Sequence, residues 1–515
     1  MDTADQNYGN SPVLDWTGHP LVDVGIATIC AMVNKDDPKD LTLTDLDQAA
    51  DEMTEYYFSG LMTSYNSCVF TMNAYDNATS SLETKKEYAN RVLRAHRSAG
   101  DAEAKGLVCP FSGKQATHLI ERRQMPMLTG ENVLNFFPSL RGALPIVGPY
   151  LVALQALPLG GRRVEGKLLI AHSDFPQLTV SFAQRYLHDN RRLLGALREN
   201  RLPQHDGPSS CLERELAVWD AKKKQPKYPD AKGAKTLIAS DLMELWSSRR
   251  EPFVRQHPVS VTAYWLSNSG QGPSLEVFHL PSQLIRFLSL ANLATHSRYW
   301  QALLSKGWQK PAGSDDNVPG GPGRSRNNVL ANLFDIYHDS HLDIQAAKTF
   351  LRRYLLRATS QRILSADNKD FPGNINNPEL ICWPLTELFI EEVIGMDPRH
   401  IQSVKNFADN LASHIEHTND KNLFRQIVYS RYPWELRNAL TKAQRNQAKT
   451  KNQLLFGLEE YLEVFEAEDM VGKSDWSLTR DLISIRLVEQ LYQRQWFEKE
   501  DNKELLDDPD SEEAS

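Results

Sequence analysis

The chain has 515 residues, 41% of them hydrophobic and 24% charged, a composition that excludes a disordered protein and is long enough for two or three domains. Its net charge of −8 excludes a uniformly basic nucleic-acid binder. Five cysteines, Cys30, Cys68, Cys109, Cys211 and Cys382, are scattered and odd in number, which argues against a disulfide scaffold and for a reducing compartment. The opening MDTADQNYGN carries acid where a signal peptide needs base, so a cytoplasmic protein with no membrane association is expected.

In chain order, Val22, Ile26, Ile29 and Val33 recur at helical spacing. Thr44 with Asp47 reads as the start of a second helix that carries Leu46, Ala49, Ala50, Met53, Tyr56 and Tyr57. Tyr65 to Tyr75 reads as strand-like, and Thr84 to His96 as a charged helix. Cys109 to Gly161 reads as a buried knot of short elements. In it, Pro149 opens a helix of two to three turns bearing Tyr150, Leu151, Leu154 and Leu157. The apolar part of this knot is too short and too broken by proline and glycine to span a membrane.

Lys167 to His172 and Leu178 to Phe182 read as strands, followed by a basic helix from Tyr186 to Glu199. Val259, Val261, Ala263 and Trp265 alternate, as do Leu275 and Val277, around Asn268-Ser269-Gly270-Gln271-Gly272, the clearest hairpin of the chain. Pro281-Ser282 starts a helix through His296. Residues 313–328 are rich in breakers and mark a domain boundary or a long exposed loop. Beyond them, apolar stripes begin at Ile344, Ile381, Ile401, Leu454 and Leu478. The pattern therefore predicts an α+β N-terminal body of mixed short strands and helices (1–328) and an all-α helical bundle (329–515) that ends in an acidic tail (501–515).

Charge is unevenly distributed. The tail and the segment from Asp36 to Glu55 concentrate acid. Basic clusters fall at Arg91, Arg94 and Arg97; at Arg162, Arg163 and Lys167; at Arg191, Arg192, Arg198 and Arg201; and at Lys222, Lys223, Lys224 and Lys227. The last run, with Pro226 within it and Pro229 after it, reads as a projecting loop suited to phosphate, and Arg162 and Arg163 are further candidates for the DNA backbone. Asn268 and Gln271 at the hairpin tip, and Arg326, Asn327 and Asn328, have the side-chain chemistry that reads base edges.

No nucleotide-binding loop, nucleophile elbow or zinc-protease motif is present. Cys109 lacks the second cysteine that a zinc site needs, so neither metal nor cofactor is expected. The alternative from another class is a stand-alone metal-dependent phosphohydrolase or nuclease. It would use His338, His341 and Asp343, with the two histidines three residues apart at a helix start.

Trp16-Thr17-Gly18-His19-Pro20-Leu21-Val22-Asp23-Val24-Gly25, then Asn135-Phe136-Phe137-Pro138 and the line from Gly142 to Leu159-Gly160, resemble the large-subunit family of type I-B CRISPR-associated Cascade complexes. The paired Cys-x-x-Cys signature of that family is degenerate here: Cys109-Pro110-Phe111-Ser112-Gly113 stands at the first pair and Val147-Gly148-Pro149-Tyr150 near the second. The resemblance implies a non-catalytic subunit of a crRNA-guided DNA surveillance complex. Such a subunit reads the protospacer-adjacent duplex of target double-stranded DNA and supports R-loop formation. It contacts crRNA with the backbone and crRNA-end subunits, and presents DNA to a separate helicase-nuclease. It also implies a small subunit, for which Met396, at an inter-helix junction, is a candidate internal start giving residues 396–515.

Overall fold

The computed structural model describes residues 12–58, 62–71, 80–127, 143–164, 166–198, 218–220, 225–227, 233–247, 258–269, 272–306, 329–338, 341–356, 383–451, 454–465, 476–499, 502 and 505. They fall into two compact units, one within Met1–Ser282 and one within Gln283–Gln309 and Asn327–Ser515. The first is α+β and the second helical, as the sequence pattern predicts. A boundary at 328 assigns residues 283–306 to the α+β body; packing assigns them to the helical unit.

The first unit is built on α1 (Pro20–Met32), which is buried nearly all round rather than along one stripe. Close packing explains this. A Cβ on Gly25 would stand 2.0 Å from the carbonyl oxygen of Ala153, so the backbone of α5 (Gly148–Ala156) lies directly against α1. α5 is itself buried along its whole length, as expected of the helix after Pro149. Before α1, the Asp23 carboxylate accepts from Thr17 N (2.8 Å), Thr17 Oγ1 (2.7 Å) and Gly18 N (2.9 Å), which folds the Trp-Thr-Gly-His-Pro line onto the helix start. Burial opposes the charge of Asp23, but hydrogen bonds from His172 and Thr17 hold its carboxyl below the usual range.

α2 (Leu43–Phe58) starts two residues earlier than expected. The Thr42 hydroxyl accepts from Asp45 N (3.2 Å) and the Asp45 carboxylate accepts from Thr42 N (2.7 Å), a reciprocal cap that leaves Asp47 to pair at long range. The segment expected to be strand-like from Tyr65 is instead helical, α3 (Thr63–Val69); 72–79 lie outside the described residues. α4 (Leu82–Leu93) is capped by the Ser81 hydroxyl, which accepts from Thr84 N (3.1 Å). Cys109 to Gly113 forms a tight turn. Gly113 N donates to Cys109 O (2.9 Å), and Gly113 sits at φ +66°, a conformation glycine adopts without a Cβ penalty.

Short β1 (His118–Ile120) pairs antiparallel with β2 (Leu144–Ile146). The main sheet is antiparallel in the order β3 (Arg162–Val164), β4 (Lys167–Ser173), β7 (Val261–Ser269), β8 (Gly272–Leu280). β7 and β8 form the predicted hairpin, with Ser269 opposite Gly272. Leu178 to Phe182, expected as a strand, belongs to the 23-residue helix α6 (Pro176–Arg198). A five-residue apolar run fits either period. The spacing of buried Thr179, Ala183, Tyr186, Asn190 and Leu194 settles it as helical. Asn190 Nδ2 donates to Leu159 O and Gly161 O (2.9 Å each), and its oxygen accepts from Tyr65 (3.0 Å). A two-strand ribbon pairs β5 (Val218–Asp220) with β6 (Gln225–Lys227), and α7 (Ala234–Ser247) follows.

In the helical unit, the helix expected from Ser282 to His296 ends at Ala291: α8 (Ser282–Ala291) is followed by a turn and α9 (Ser297–Lys306). After α10 (Val329–Leu333) come β9 (Tyr337–His338) and β10 (His341–Leu342). α11 (Ile344–Phe350) and α12 (Trp383–Phe389) follow, each widening into a π-helical turn. Phe287, Phe350 and Phe389 meet in their core. Gly395 ends this part at φ +78°, and buried Met396 occupies the expected junction before α13 (Pro398–Thr418).

α14 (Lys421–Val428) and α15 (Pro433–Lys451) follow, then α16 (Leu458–Phe465) and α17 (Trp476–Gln493). Phe407 of α13 packs on Phe456 and Phe465, and Phe424 of α14 on Trp496 and Phe497. The stripe expected from Leu454 is helical only from Leu458, and Leu454, Leu458 and Leu462 are exposed.

Candidate nucleic-acid interface

Three of the four basic clusters singled out in the sequence have members paired with acids within the fold. Arg94 and Arg97 both pair with Asp47 (2.9 and 2.7 Å), and Arg94 also pairs with Asp51. Arg191 forms a two-pronged pair with Glu52, at 2.7 Å on each side. The acidic segment from Asp36 to Glu55 therefore supplies partners for arginines far away in sequence. Arg162 is largely buried and lies 3.7 Å from Asp241, which also takes Arg185 (3.0 Å) and the Tyr186 hydroxyl (3.1 Å). Burial raises the pKa of Asp241, against the pull of the two arginines. Arg163 is half-buried on the same strand. Lys167 bridges Glu276 (2.8 Å) and covers the Trp265 ring.

Lys222, Lys223, Lys224, Gln271, Arg326, Asn327 and Asn328 lie outside the described residues. Lys227 is in β6, so the expected loop becomes strand at its C-terminal end. Asn268 is in β7 and buried, and its Nδ2 donates to Thr71 Oγ1 (2.7 Å) and Val69 O (3.3 Å). It ties the hairpin to the end of α3 rather than projecting from the tip.

The histidines of the nuclease alternative are not on a helix. His338 and His341 face each other across two-residue strands, and Asp343 caps α11, its Oδ1 accepting from Gln345 N (2.9 Å) and Ala346 N (3.1 Å). Among the described residues no group of three or more His, Cys, Asp or Glu could hold a metal ion. Among the same residues no helix is long and apolar enough to cross a membrane.

Among the described residues, a strongly one-signed stretch lies outside the basic clusters singled out in the sequence. From Lys421 to Lys451 the chain carries Lys421, Arg425, Arg431, Arg437, Lys442, Arg445, Lys449 and Lys451 against a single acid, Glu435. α14 and α15 pack through Phe424, Ile427, Leu436, Leu440 and Ala443, all buried, which turns the polar positions outward. Trp434, Asn438, Lys442, Arg445 and Lys449 recur at i, i+4, i+8, i+11 and i+15 of α15, so they share one exposed stripe ~22 Å long.

At the N-terminal end of the stripe a groove of about 500 Å3 opens between the two helices, with Arg425, Tyr429, Trp434, Glu435, Asn438 and Lys442 in its wall. Pro433 sets the first turn of α15, and of the connector before it Tyr429 and Ser430 line the groove. Glu435, the one acid of this run, accepts from Arg431 N (2.7 Å) and Tyr432 N (3.2 Å), so its charge is directed at the helix terminus. Tyr432 and Trp434 are each 57% exposed, with rings within 9° of parallel and centroids 6.3 Å apart.

Such a surface can hold phosphates with its cations and stack planar groups on its rings. The signal available in the sequence is the run of like charge, which the overall net charge of −8 masks. No protein-family model, no curated protein and no solved structure matches this chain.

Proposed function

We propose that this chain is the non-catalytic large subunit of a crRNA-guided DNA surveillance complex, and that its helical unit holds nucleic acid on the α14–α15 face. The lines from Trp16 to Gly25 and from Gly142 to Gly160, which resemble type I-B large subunits, support the first part. The observation that carries the second is the stripe of Lys442, Arg445 and Lys449, exposed on a helix whose one acid is directed at its own N-terminus. In this role the α+β unit recognises the duplex beside the protospacer and, with neighbouring subunits, anchors the crRNA. Target sequence is left to base pairing, and bound DNA passes to a separate helicase-nuclease.

The test is DNA binding by the full chain across a salt series. Replacing Lys442, Arg445 and Lys449 by alanine weakens binding to all sequences. It flattens the dependence of log K on log salt by about 0.9 for each phosphate no longer neutralised. Unchanged affinity and unchanged slope would overturn the assignment.

A further inference from the structure

The α14–α15 groove carries two kinds of recognition chemistry, and only one is needed to hold a phosphate backbone. Cations suffice for duplex DNA, whose base faces are hidden in the stack. Exposed aromatic faces gain nothing there, because there is no unstacked base to meet them. The groove nevertheless has Trp434 and Tyr429 in its wall, 57% and 40% exposed, and Tyr432, also 57% exposed, stands next to Trp434 with its ring nearly parallel. Large aromatic side chains so open to water are not explained by packing in this unit, whose core rings Phe407, Phe424 and Trp496 are buried.

The rings also sit at one end of the cationic stripe, not scattered across it. Trp434 begins the stripe that runs on through Lys442, Arg445 and Lys449. A base stacked on Trp434 would therefore have its phosphates leading onto Lys442. Asn438, between them, offers a carboxamide to a base edge or sugar. Glu435 also lines the groove, but its carboxylate accepts from Arg431 N and Tyr432 N, which ties its charge to the N-terminus of α15.

Resting on the nucleic-acid reading above, we infer that this groove binds single-stranded nucleic acid, with unpaired bases stacked on Trp434 and Tyr432 and the following phosphates on Lys442, Arg445 and Lys449. The site thus selects for strand state: it engages a strand only where the duplex has been opened.

The experiment uses the full chain and three fluorescent probes: a dT15 oligonucleotide, an rU15 oligonucleotide and a hairpin duplex of the same length. Trp434→Ala is expected to weaken single-strand binding by roughly 10- to 100-fold, the scale of removing one base–aromatic stack. The duplex affinity and the salt slope stay as in the wild type, because the phosphate contacts remain. Trp434→Phe restores most of the loss, since a ring is returned. Whichever oligonucleotide Trp434→Ala weakens more identifies the strand as DNA or RNA.

Equal loss on single strand and duplex, or no loss on either single strand, overturns the inference. The two readings fail separately. If the lysine and arginine replacements leave binding unchanged while Trp434→Ala still removes dT15 or rU15, the phosphate stripe is wrong and the stacking site stands. If the charge replacements act and Trp434→Ala does not, the stacking site alone is lost.

Discussion

Asp47 Oδ1 stands 2.9 Å from Nε2 of the buried His96, and the same carboxylate holds Arg94 and Arg97. Three side chains from the turn after α4 thus share one anionic centre on α2. Burial lowers the pKa of His96, more than the neighbouring Asp47 raises it, and the two arginines push the same way as burial. His96 is therefore a neutral donor to Asp47 at neutral pH. Asp47, although burial opposes its charge, is held down to about 2 by its hydrogen bonds from Arg97 and His96.

Both groups bind protons less well folded than unfolded, so both make stability fall with acid. The His96 contribution is full above its ordinary value of about 6.5 and declines as pH falls below it; that of Asp47 is full above about 4 and is lost toward 2. In urea denaturation from pH 7.5 to 5, His96→Gln should flatten the fall in midpoint relative to the wild type. Asp47→Asn should cost about 1–3 kcal/mol at pH 7, because it leaves arginines without their anion. An identical pH profile for His96→Gln would show that the ring is not coupled to folding.

The packing of α1 on α5 gives a steric prediction with an internal control. Gly25→Ala places a Cβ 2.0 Å from the Ala153 carbonyl oxygen, and backbone on both sides must move. Thermal and urea unfolding should show a loss of about 1–3 kcal/mol or more, the cost of overpacking. Gly195 lies inside α6 in open space, with nothing within 4 Å of the place a Cβ would take, so Gly195→Ala should stabilise by about 0.5–1 kcal/mol. Equal effects at the two positions would contradict this packing.

Asp343 separates a cap from a catalyst. As the N-cap of α11 it needs only a side-chain oxygen, so Asp343→Ala should cost about 0.5–2 kcal/mol while Asp343→Asn is nearly neutral. A metal-dependent phosphohydrolase would lose its activity with either change, since both remove the carboxylate. Assaying DNA cleavage with magnesium or manganese beside the unfolding midpoints decides between them. Cleavage by the wild type that both variants abolish would restore the nuclease alternative.

Local pattern located the elements whose signals are local. α1, α5, α13, α17 and the β7–β8 hairpin follow from apolar spacing, a proline at a helix start or a turn sequence between alternating strands. Where a run was too short to hold a period, as from Leu178 to Phe182, the sequence was ambiguous and continuation of the buried face into α6 decided it. Charge was legible residue by residue, but which charges face solvent was not. Arg94, Arg97 and Arg191 look like a basic surface until the fold brings Asp47 and Glu52 against them.

The candidate interface was hidden for the same reason in reverse. The like-charged run from Lys421 to Lys451 was present in the sequence. Its rings, Tyr429, Tyr432 and Trp434, have the composition of a core. Nothing local distinguishes a buried tryptophan from an exposed one, because exposure is set by what other segments pack against it. Tertiary structure alone left these three uncovered, at the end of a row of cations.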